Sequence, residues 1–418
     1  MGGLRLSTAG ESHGPAEVCI LEGIPAGLRL TSSDIDRDLE RRQRGYGRGG
    51  RMAVERDRVE VLAGLRHGYT LGTPLCLVVR NRDYVHWRTV MAPEESPAPD
   101  AQGLEAGEAE ASIAASTRHE AVTVPRPGHA DLAGAAKYGH ADLRNVLERA
   151  SARETVARVA AGAVCKRLLA EVGVQIRGRV VSIGNVWSQT VPDPTNPVSI
   201  DWQAVEHSPV GCDDPQAEKE MCAAIDEAQA AGDSLGGVFE VWAWGVCPGV
   251  GSYATLEQRL DARLMAAVGG IPAIKGVEIG DGFALAGEPG SAVHDAIYLR
   301  AEGDSRWLVR PSNHAGGIEG GTSNGMPIIL RAAMKPIPTL RRPLPSVDLR
   351  TGEAVEAHVE RSDVCAVSAA RVVGEAMVAL VLATAYLEKF AGDNVAEFQS
   401  SVQTYEQTLK ERGLWRRS

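Results

Sequence analysis

Two of the ten histidines lie in short turns whose neighbours suit acid–base chemistry. His13 belongs to Gly10–Gly14 (GESHG), directly after a short strand-like run, and His129 belongs to Arg126–Asp131 (RPGHAD), in a turn opened by Pro127. A histidine on a loop with small neighbours and an acid nearby can exchange a proton near neutral pH. Each is therefore a candidate general acid, and a purely structural histidine is the alternative for each.

The segment Arg41–Arg51 (RRQRGYGRGGR) carries five arginines and no acid, in a chain whose formal net charge is −10. Glycine lets the backbone approach a ligand closely, and arginine binds phosphate or carboxylate through two parallel hydrogen bonds. The segment is typical of a site for a polyanionic small molecule. An RNA contact with Tyr46 as a stacking platform and a solvated turn after a helix are the alternatives.

A glycine cluster, Asn313–Gly325 (NHAGGIEGGTSNG), has five glycines in thirteen residues, which disfavours a helix or a well-packed strand. It predicts either a flexible lid or a loop whose backbone amides hold a ligand. It matches neither the P-loop pattern nor the dinucleotide-binding pattern that follows a strand. Arg331 and Lys335 add positive charge just after it.

One helix start also indicates anion binding, and a second carries a candidate capping acid. Ser151–Glu154 has the Ser-x-x-Glu form of a capping box, and Arg149 stands just before it. A helix N-terminus carries partial positive charge and unpaired N–H groups, so this start favours an anion, with a simple capped surface helix as the alternative. Asp363 is predicted to be the N-cap of a later, buried helix.

Composition limits the class of protein. Glycine occurs 46 times and aromatic residues make up only 5% of the chain, so much backbone must lie in turns or close to a ligand. The seven cysteines contain no CxxC, which favours free thiols in a reducing cytoplasm over a metal site or disulfides. The longest apolar run, Ala376–Leu387, is too short to span a bilayer, and the N-terminus lacks an apolar leader. The acidic net charge argues against nucleic acid or membrane as a partner.

Hydrophobic periodicity predicts an α+β chain. The predicted helices are Ser33–Gln43, Ser151–Val172, Ala217–Ala231, Leu256–Val268 and Val364–Phe390, and the clearest strands are Pro74–Val79, Val180–Ile183 and Gly237–Trp242. The last helix is apolar on nearly every face, which is typical of a buried helix. We expect one large domain over 1–418, with central helices sandwiched between antiparallel sheets, irregular insertions at about 91–121 and 284–313, and a C-terminal tail at 391–418.

In this order, eight segments resemble the chorismate synthase family over roughly residues 5–390. They are GESHG (10–14), RRQRGYGRGGRM (41–52), RPGHAD (126–131), ERASARETVARVAAGA (148–163), GGIPAIKGVEIGDGF (269–283), NHAGGIEGGTSNG (313–325), RAAMKPIPTL (331–340) and RSDVCAV (361–367). The resemblance implies a lyase that converts 5-enolpyruvylshikimate-3-phosphate to chorismate and phosphate by a 1,4-anti elimination, the last step of the shikimate pathway. It implies reduced FMN as cofactor, NADPH or an external flavin reductase as reductant, no metal, and a cytoplasmic homotetramer.

The same resemblance implies a role for individual residues. His13, with Ser12 beside it, would protonate the departing phosphate, His129 would protonate the reduced flavin, and Asp363 would help to remove the C6 proton. Arg42 and Arg48 would bind the substrate or NADPH. The residues implied in FMN binding are Arg149, Ala150, Ser151, Pro272, Ala273, Gly320, Lys335, Pro336, Ile337, Pro338, Thr339 and Arg361.

Four positions depart from the family pattern. Glu17 stands where an apolar residue is usual, and Pro272 where some relatives carry a polar side chain. Ser368 and Arg371 replace a usual Pro and Gly, which predicts a disturbed start for the helix that orients Asp363. An RNA-binding protein and a flavin-binding homologue without catalysis are the alternatives to the enzyme.

Overall fold

The computed structural model describes residues 3–49, 56–94, 120–303, 305–359 and 362–417. The strands in these residues are Arg5–Ala9 (β1), Ala16–Glu22 (β2), Val59–Ala63 (β3), Leu65–Arg66 (β4), Tyr69–Thr70 (β5), Leu75–Arg80 (β6), Gln175–Ile183 (β7), Val186–Trp187 (β8), Gly237–Trp244 (β9), Ile274–Ile279 (β10), Tyr298–Glu302 (β11), Ser305–Val309 (β12), Ile318–Glu319 (β13), Thr322–Ser323 (β14), Ile328–Met334 (β15), Pro345–Val347 (β16) and Ala354–Glu356 (β17). The α-helices are Ser32–Gln43 (α1), Asp131–Tyr138 (α2), Arg144–Leu147 (α3), Thr155–Ala170 (α4), Trp202–His207 (α5), Pro215–Ala231 (α6), Leu260–Gly269 (α7), Gly290–Val293 (α8), Val367–Lys389 (α9) and Val395–Glu411 (α10).

Two antiparallel sheets enclose the central helices. The smaller sheet has the order β1-β2-β6-β3 and the larger one β10-β15-β9-β7-β8. The smaller sheet packs on α4 and the larger one on α9, while α4 and α9 pack against each other. The expected α+β architecture, with central helices sandwiched between antiparallel sheets, is confirmed.

Helices α4 and α9 cross with almost no space between their backbones. Gly162 of α4 faces Ala376 of α9, and a Cβ built on Gly162 would lie 2.5 Å from the Ala376 Cα and 2.9 Å from its carbonyl oxygen. Only glycine fits this crossing, because an added methyl group would have to push backbone and not a flexible side chain.

We expect Gly162→Ala to lower the free energy of unfolding by about 1–3 kcal/mol, the usual cost of overpacking a core, although alanine is the better helix former. Urea unfolding measures this change. Gly287→Ala is the matched control, since a Cβ at Gly287 meets no atom within 4 Å. An unfolding midpoint for Gly162→Ala equal to that of the control would show that the helices separate at little cost.

Helix α9 is the buried helix predicted from its apolar sequence. By length and hydropathy it could cross a membrane, but 83% of its most apolar window is buried inside this fold, as in a core helix. The helix runs unbroken through Ser368 and Arg371, so the disturbed helix start predicted from these two departures is wrong.

Two segments hold more regular structure than the sequence predicted. Residues 284–313, expected as an irregular insertion, contain the hairpin β11–β12. Residues 391–418, expected as a tail, contain α10, whose Phe398 and Val402 belong to the main hydrophobic core. Of the other predicted insertion, 91–121, residues 95–119 lie outside the described residues.

Candidate active site

His13 lies in the turn between β1 and β2, where the carboxylate of Glu148 holds it from one side. The His13 backbone N–H donates to Glu148 Oε2 at 2.7 Å, and the ring Nδ1 lies 2.8 Å from Glu148 Oε1. The imidazole stacks on Trp87, with ring centroids 3.9 Å apart. A carboxylate on Nδ1 fixes the ring's tautomer and orientation and assigns proton transfer to Nε2.

Glu148 is the positioning residue that the sequence analysis missed. It follows α3, is only 2% exposed, and lies 3.8 Å from Arg144, whose guanidinium in turn lies over the Trp87 ring. Its position at the start of a motif already singled out was a signal, but nothing in the sequence pairs it with a histidine 135 residues away.

The residues after Glu148 bring a set of hydrogen-bond donors to the same place. Arg149 donates to Thr8 Oγ1 at 2.7 Å and to the Gly10 carbonyl at 3.2 Å, and its side chain is 42% exposed. The Ser151 hydroxyl donates to the Ser12 hydroxyl at 3.2 Å. Ala150 carries the chain between them, so the GESHG turn and the predicted helix start lie side by side.

The capping box predicted at Ser151 forms only in part. Ser151 Oγ accepts the backbone N–H of Arg153 and caps a short 3-10 turn, Ala152–Glu154, which precedes α4. The carboxylate of Glu154 pairs with Arg158 at 2.8 Å, one turn later. The competing arginine explains why the glutamate does not complete the box.

Arg42 lies next to this helix start, whereas Arg48, in the same segment Arg41–Arg51, has a different partner. Arg42 is buried and donates to Thr155 Oγ1 at 2.9 Å and to the Ala152 carbonyl at 3.0 Å. Burial lowers its pKa to about 10, so the guanidinium is still charged at neutral pH. Arg48 pairs with Asp363 at 2.8 Å.

The prediction that Asp363 caps the buried helix is wrong. Helix α9 begins four residues later, at Val367, with Ala366 as its N-cap. Asp363 instead accepts the backbone N–H of Gly49 at 2.6 Å, besides its ion pair with Arg48. The contacts with Arg48 and Gly49 therefore hold this carboxylate away from the helix start.

His129 is held by an acid in its own turn. Its Nδ1 lies 2.5 Å from Asp131 Oδ1, and Arg126 donates to Asp131 Oδ2 at 2.9 Å. Burial alone would raise the pKa of Asp131, but hydrogen bonds from His129 and Arg126 outweigh it and hold that pKa well below its usual range. Asp131 therefore stays ionised and fixes the ring as Glu148 fixes His13.

The segment 335–339 joins the His129 turn to Asp363. Lys335 Nζ donates to the Gly128 carbonyl at 3.0 Å, and Arg126 donates to Thr339 Oγ1 at 3.1 Å. The Ser362 hydroxyl donates to the Thr339 carbonyl at 3.2 Å. Burial and the neighbouring charge of Lys275 lower the pKa of Lys335. Between these ends, the Ile337 carbonyl accepts a hydrogen bond from the Ser234 hydroxyl. Pro336 lies next to Gly236, and Pro338 packs on Gly128.

Ala273 meets the same segment from the other side. Its carbonyl accepts the N–H of Lys335 at 2.9 Å, and its φ of +68° lies in the left-handed region that few residues other than glycine adopt. Arg158 of α4 donates to the Gly270 carbonyl at 2.9 Å, which ties the loop before Pro272 to the helix that follows Ser151. These contacts link the helix after Ser151, the Pro272 loop, the segment 335–339 and the His129 turn one to the next.

One predicted FMN residue, Gly320, is not joined to these segments by the contacts of the described residues. Gly320 lies in the glycine cluster, whose contacts run to residues 247–260 through Gly321, Thr322 and Ser323, and a Cβ at Gly320 would meet no atom within 4 Å. Arg361 lies outside the described residues. In the described residues we find no group of three or more His, Cys, Asp or Glu side chains that could hold a metal ion.

Glu17 is a buried carboxyl near Arg149. It is 1% exposed, lies 3.8 Å from Arg149, and neither carboxylate oxygen has a hydrogen-bond partner among the described residues. Burial raises its pKa from 4.5 to about 7, against the opposing charges of Arg153 and Arg149. The folded state therefore prefers the protonated form, and ionising this group costs stability.

We expect Glu17→Leu to stabilise the fold above neutral pH. Because the pKa of Glu17 is raised on folding, wild-type stability should fall as pH rises from about 4.5 through 7, by up to about 3 kcal/mol, and Glu17→Leu should lack this fall. Urea unfolding at pH 5 and pH 8 measures it. Glu22→Leu, exposed on the same strand, is the control. Parallel pH dependences for wild type and Glu17→Leu would contradict the expectation.

Comparisons with known proteins identify the family to which the chain belongs. The family model described as chorismate synthase matches residues 4–387. The chain belongs to the chorismate synthase family. The chorismate synthase of Desulforudis audaxviator is 53% identical over 407 residues, covering 97% of this chain and 98% of that protein. The chorismate synthase of Rubrobacter xylanophilus is 53% identical over 410 residues, covering 98% and 97%.

A crystal structure of chorismate synthase has the same fold, with a TM-score of 0.75 and 41% identity over 98% of this chain and 99% of that one. The chorismate synthase family consists of enzymes of the last step of the shikimate pathway, so the chain is an enzyme of aromatic biosynthesis.

Proposed function

We propose that this enzyme converts 5-enolpyruvylshikimate-3-phosphate to chorismate and phosphate by a 1,4-anti elimination that uses reduced FMN. The observation that carries the proposal is His13, held at Nδ1 by the buried Glu148 and placed beside the donors Ser12, Arg149 and Ser151. A proton donor next to groups that bind an oxyanion is the arrangement that loss of a phosphate requires.

The residues present fit a flavin phosphate and a substrate with one phosphate and two carboxylates. Arg149 and Lys335 are partly exposed cations. The Ser151 hydroxyl belongs to the same segment as Arg149, and the Thr339 hydroxyl to the same segment as Lys335. Arg48 and the buried Arg42, both in the segment Arg41–Arg51, add positive charge. We propose that Arg149–Ser151, Pro272–Ala273 and Lys335–Thr339 hold FMN, with Gly320 and Arg361, and that Arg42 and Arg48 bind the substrate or NADPH.

Reduced FMN, when bound, supplies an electron that the elimination borrows and returns, so no net oxidation occurs. The chain's own residues move the protons. His13 donates from Nε2 to the departing phosphate while Glu148 holds Nδ1. His129, fixed at Nδ1 by Asp131, would hold a proton for the reduced flavin, and Asp363, oriented by Arg48 and Gly49, would help to take up the C6 proton.

We further propose that the reducing equivalents come from NADPH or from an external flavin reductase, and that the enzyme is a cytoplasmic homotetramer whose chain forms one domain. The main hydrophobic cluster, which contains residues of α1, α4, α7, α9, α10 and both sheets, supports the single domain.

The decisive experiment is an anaerobic assay with dithionite-reduced FMN and the phosphorylated substrate, in which chorismate and phosphate are both measured. We expect the two products in equal amounts and none without reduced flavin. Folded protein that forms neither product would overturn the proposal. Flavin binding without turnover would identify the chain as a homologue that has lost catalysis. Bleaching of FMN by NADPH alone, with enzyme and substrate present, would assign the reductant.

A further inference from the structure

A buried amide holds the backbone on both sides of His13. Asn81 follows directly after β6 and is 6% exposed. Its Nδ2 donates to the Gly14 carbonyl at 2.9 Å and to the Ser12 carbonyl at 3.2 Å. Ser12 precedes His13 in the chain and Gly14 follows it, so one side chain fixes the turn that carries the candidate general acid.

The smaller sheet brings Asn81 to this turn. Strands β2 and β6 pair up to Ala16 and Arg80, and just beyond this pair the Asn81 N–H donates to the Pro15 carbonyl at 3.0 Å. The antiparallel register therefore places Asn81 beside the turn, although it lies 67 positions from Gly14 in the sequence. Because a paired strand supports it, the amide has a well-defined position.

The other end of the same amide leads to the ring that stacks on His13. Asn81 Oδ1 accepts the backbone N–H of Asp83 at 3.1 Å and caps the 3-10 turn Arg82–His86. The indole Nε1 of Trp87, the residue after this turn, donates to Asp83 Oδ2 at 3.1 Å. Two carbonyls at one end and an N–H at the other define the orientation of the amide. Asn81 therefore connects the backbone around His13 to the indole that lies on its ring.

These contacts matter for proton transfer because the imidazole moves with the turn that carries it. Glu148 and Trp87 contact the His13 ring itself. Asn81 fixes the backbone on both sides of that ring and the segment that leads to Trp87. A misplacement of about 1 Å that arises far from the chemistry can cost about 10²-fold in rate. A residue that fixes the turn can therefore determine the rate without touching the substrate.

We propose that Asn81 is a positioning residue for the reaction, which fixes the His13 turn and Trp87 relative to each other and so maintains the direction in which His13 Nε2 donates its proton. The inference rests on the proposed function, since it takes His13 as the general acid for the departing phosphate. The alternative is a role confined to folding, in which Asn81 joins β6 to the 3-10 turn and has no effect on the orientation of His13.

Asn81→Asp tests this role because it keeps the shape of the side chain and an oxygen for the Asp83 N–H. The carboxylate has no hydrogen to donate, so it faces two carbonyls that it cannot bond. We expect kcat to fall about tenfold or more, with KM for the phosphorylated substrate and the Kd of FMN within about twofold of wild type. Asn196→Asp is the matched control, since the exposed Asn196 caps a 3-10 turn in the same way, through the Val198 N–H. We expect its kcat to equal that of wild type.

The double variant His13→Ala with Asn81→Asp distinguishes positioning from a role confined to folding. If Asn81 acts through His13, its replacement has nothing left to disturb, so kcat of the double variant should equal that of His13→Ala within about twofold. A further fall as large as that of Asn81→Asp alone would overturn this inference and leave the proposed function intact. A wild-type enzyme that forms no product would overturn both. If Asn81→Asp does not fold, Asn81→Ala, which removes the donors and adds no charge, replaces it in the same comparison.

Trp87 gives a second measurement, which needs neither substrate nor flavin. A protonated imidazole quenches the fluorescence of an indole on which it stacks, so emission from Trp87 should fall when His13 takes up a proton. The difference between wild type and Trp87→Phe isolates this signal from the other tryptophans. We expect Asn81→Asp to lose most of the amplitude of this pH-dependent change and Asn196→Asp to retain it. An amplitude in Asn81→Asp equal to that of wild type would show that the stack does not depend on Asn81, and would overturn the inference.

Discussion

His13→Ala should lower kcat by about 10²–10⁴-fold, the range typical of a lost general acid, while FMN binding stays near its wild-type value. The imidazole is held at Nδ1 by Glu148 and stacked on Trp87, so the enzyme maintains one orientation of this ring. Removing it leaves the departing phosphate without the proton donor that the proposed reaction requires. Chorismate formation with pre-reduced FMN measures the loss, and His129→Ala should fall in the same range.

Glu148→Gln is the sharper variant because it keeps the shape of the side chain and changes only what it can accept. An amide at this position no longer enforces one imidazole tautomer, so we expect a large fall in kcat with little change in KM, and an altered pH profile.

For the His13→Ala variant, His207→Ala is the matched control, since the exposed His207 ring forms a hydrogen bond within its own helix, with the Gln203 carbonyl. Near-normal turnover in His13→Ala would contradict the role of His13 as the general acid for the departing phosphate.

Glu375→Gln should lower the free energy of unfolding by about 3–5 kcal/mol, the usual cost of removing one partner from a buried ion network. Glu375 is fully buried in α9. It pairs with both Arg41 nitrogens at 2.7 Å and with Lys166 at 2.7 Å, and it accepts the Gly178 backbone N–H at 2.8 Å. The amide would remove the fully buried one of the two carboxylates, Glu375 and Asp38, that both Arg41 and Lys166 contact. Urea unfolding measures the effect.

The pH dependence of this effect has a definite sign. Burial would raise the pKa of Glu375, but Arg41 and Lys166 outweigh it and hold that pKa well below its usual range. Its contribution to stability is therefore present above the unfolded value of about 4.5 and lost as pH falls below it. Glu388→Gln, an exposed ion-pair partner of Arg263 on the same helix, should change stability by at most about 0.5 kcal/mol. Equal losses in both variants would show that burial of the network is not what matters.

The fold was largely predictable from the sequence because its helices carry strong local patterns. Helix α9 is apolar on nearly every face, and such a helix must be buried whatever surrounds it. Local patterns gave the wrong prediction where a residue has a partner far away in the sequence. Asp363, for example, contacts Arg48 and Gly49 and does not cap α9. The hairpin at Tyr298–Val309 was missed because its strands are exposed and lack a hydrophobic alternation.

For the candidate site, residue types and turns predicted His13 and His129, and the roles assigned to them stay predictions. What sequence reasoning could not supply was the pairing. Glu148 and Trp87 flank His13 only because the fold brings three separate segments together. The acid for His129, in contrast, lies two residues away in the same motif, which is why local reasoning came closer there.

The contacts that orient the candidate site join residues that are far apart in the sequence, which determines when the site can form during folding. His13 and Glu148 are 135 positions apart, Arg126 and Thr339 are 213, and Gly49 and Asp363 are 314. Closing such long loops costs chain entropy before any contact can compensate for it. We therefore expect these pairs to form late in folding. A chain still emerging from the ribosome can hold both histidines and yet lack most of the partners that orient this site. Activity should therefore appear only with the finished tertiary structure, and its recovery after denaturation should lag behind the recovery of helix content.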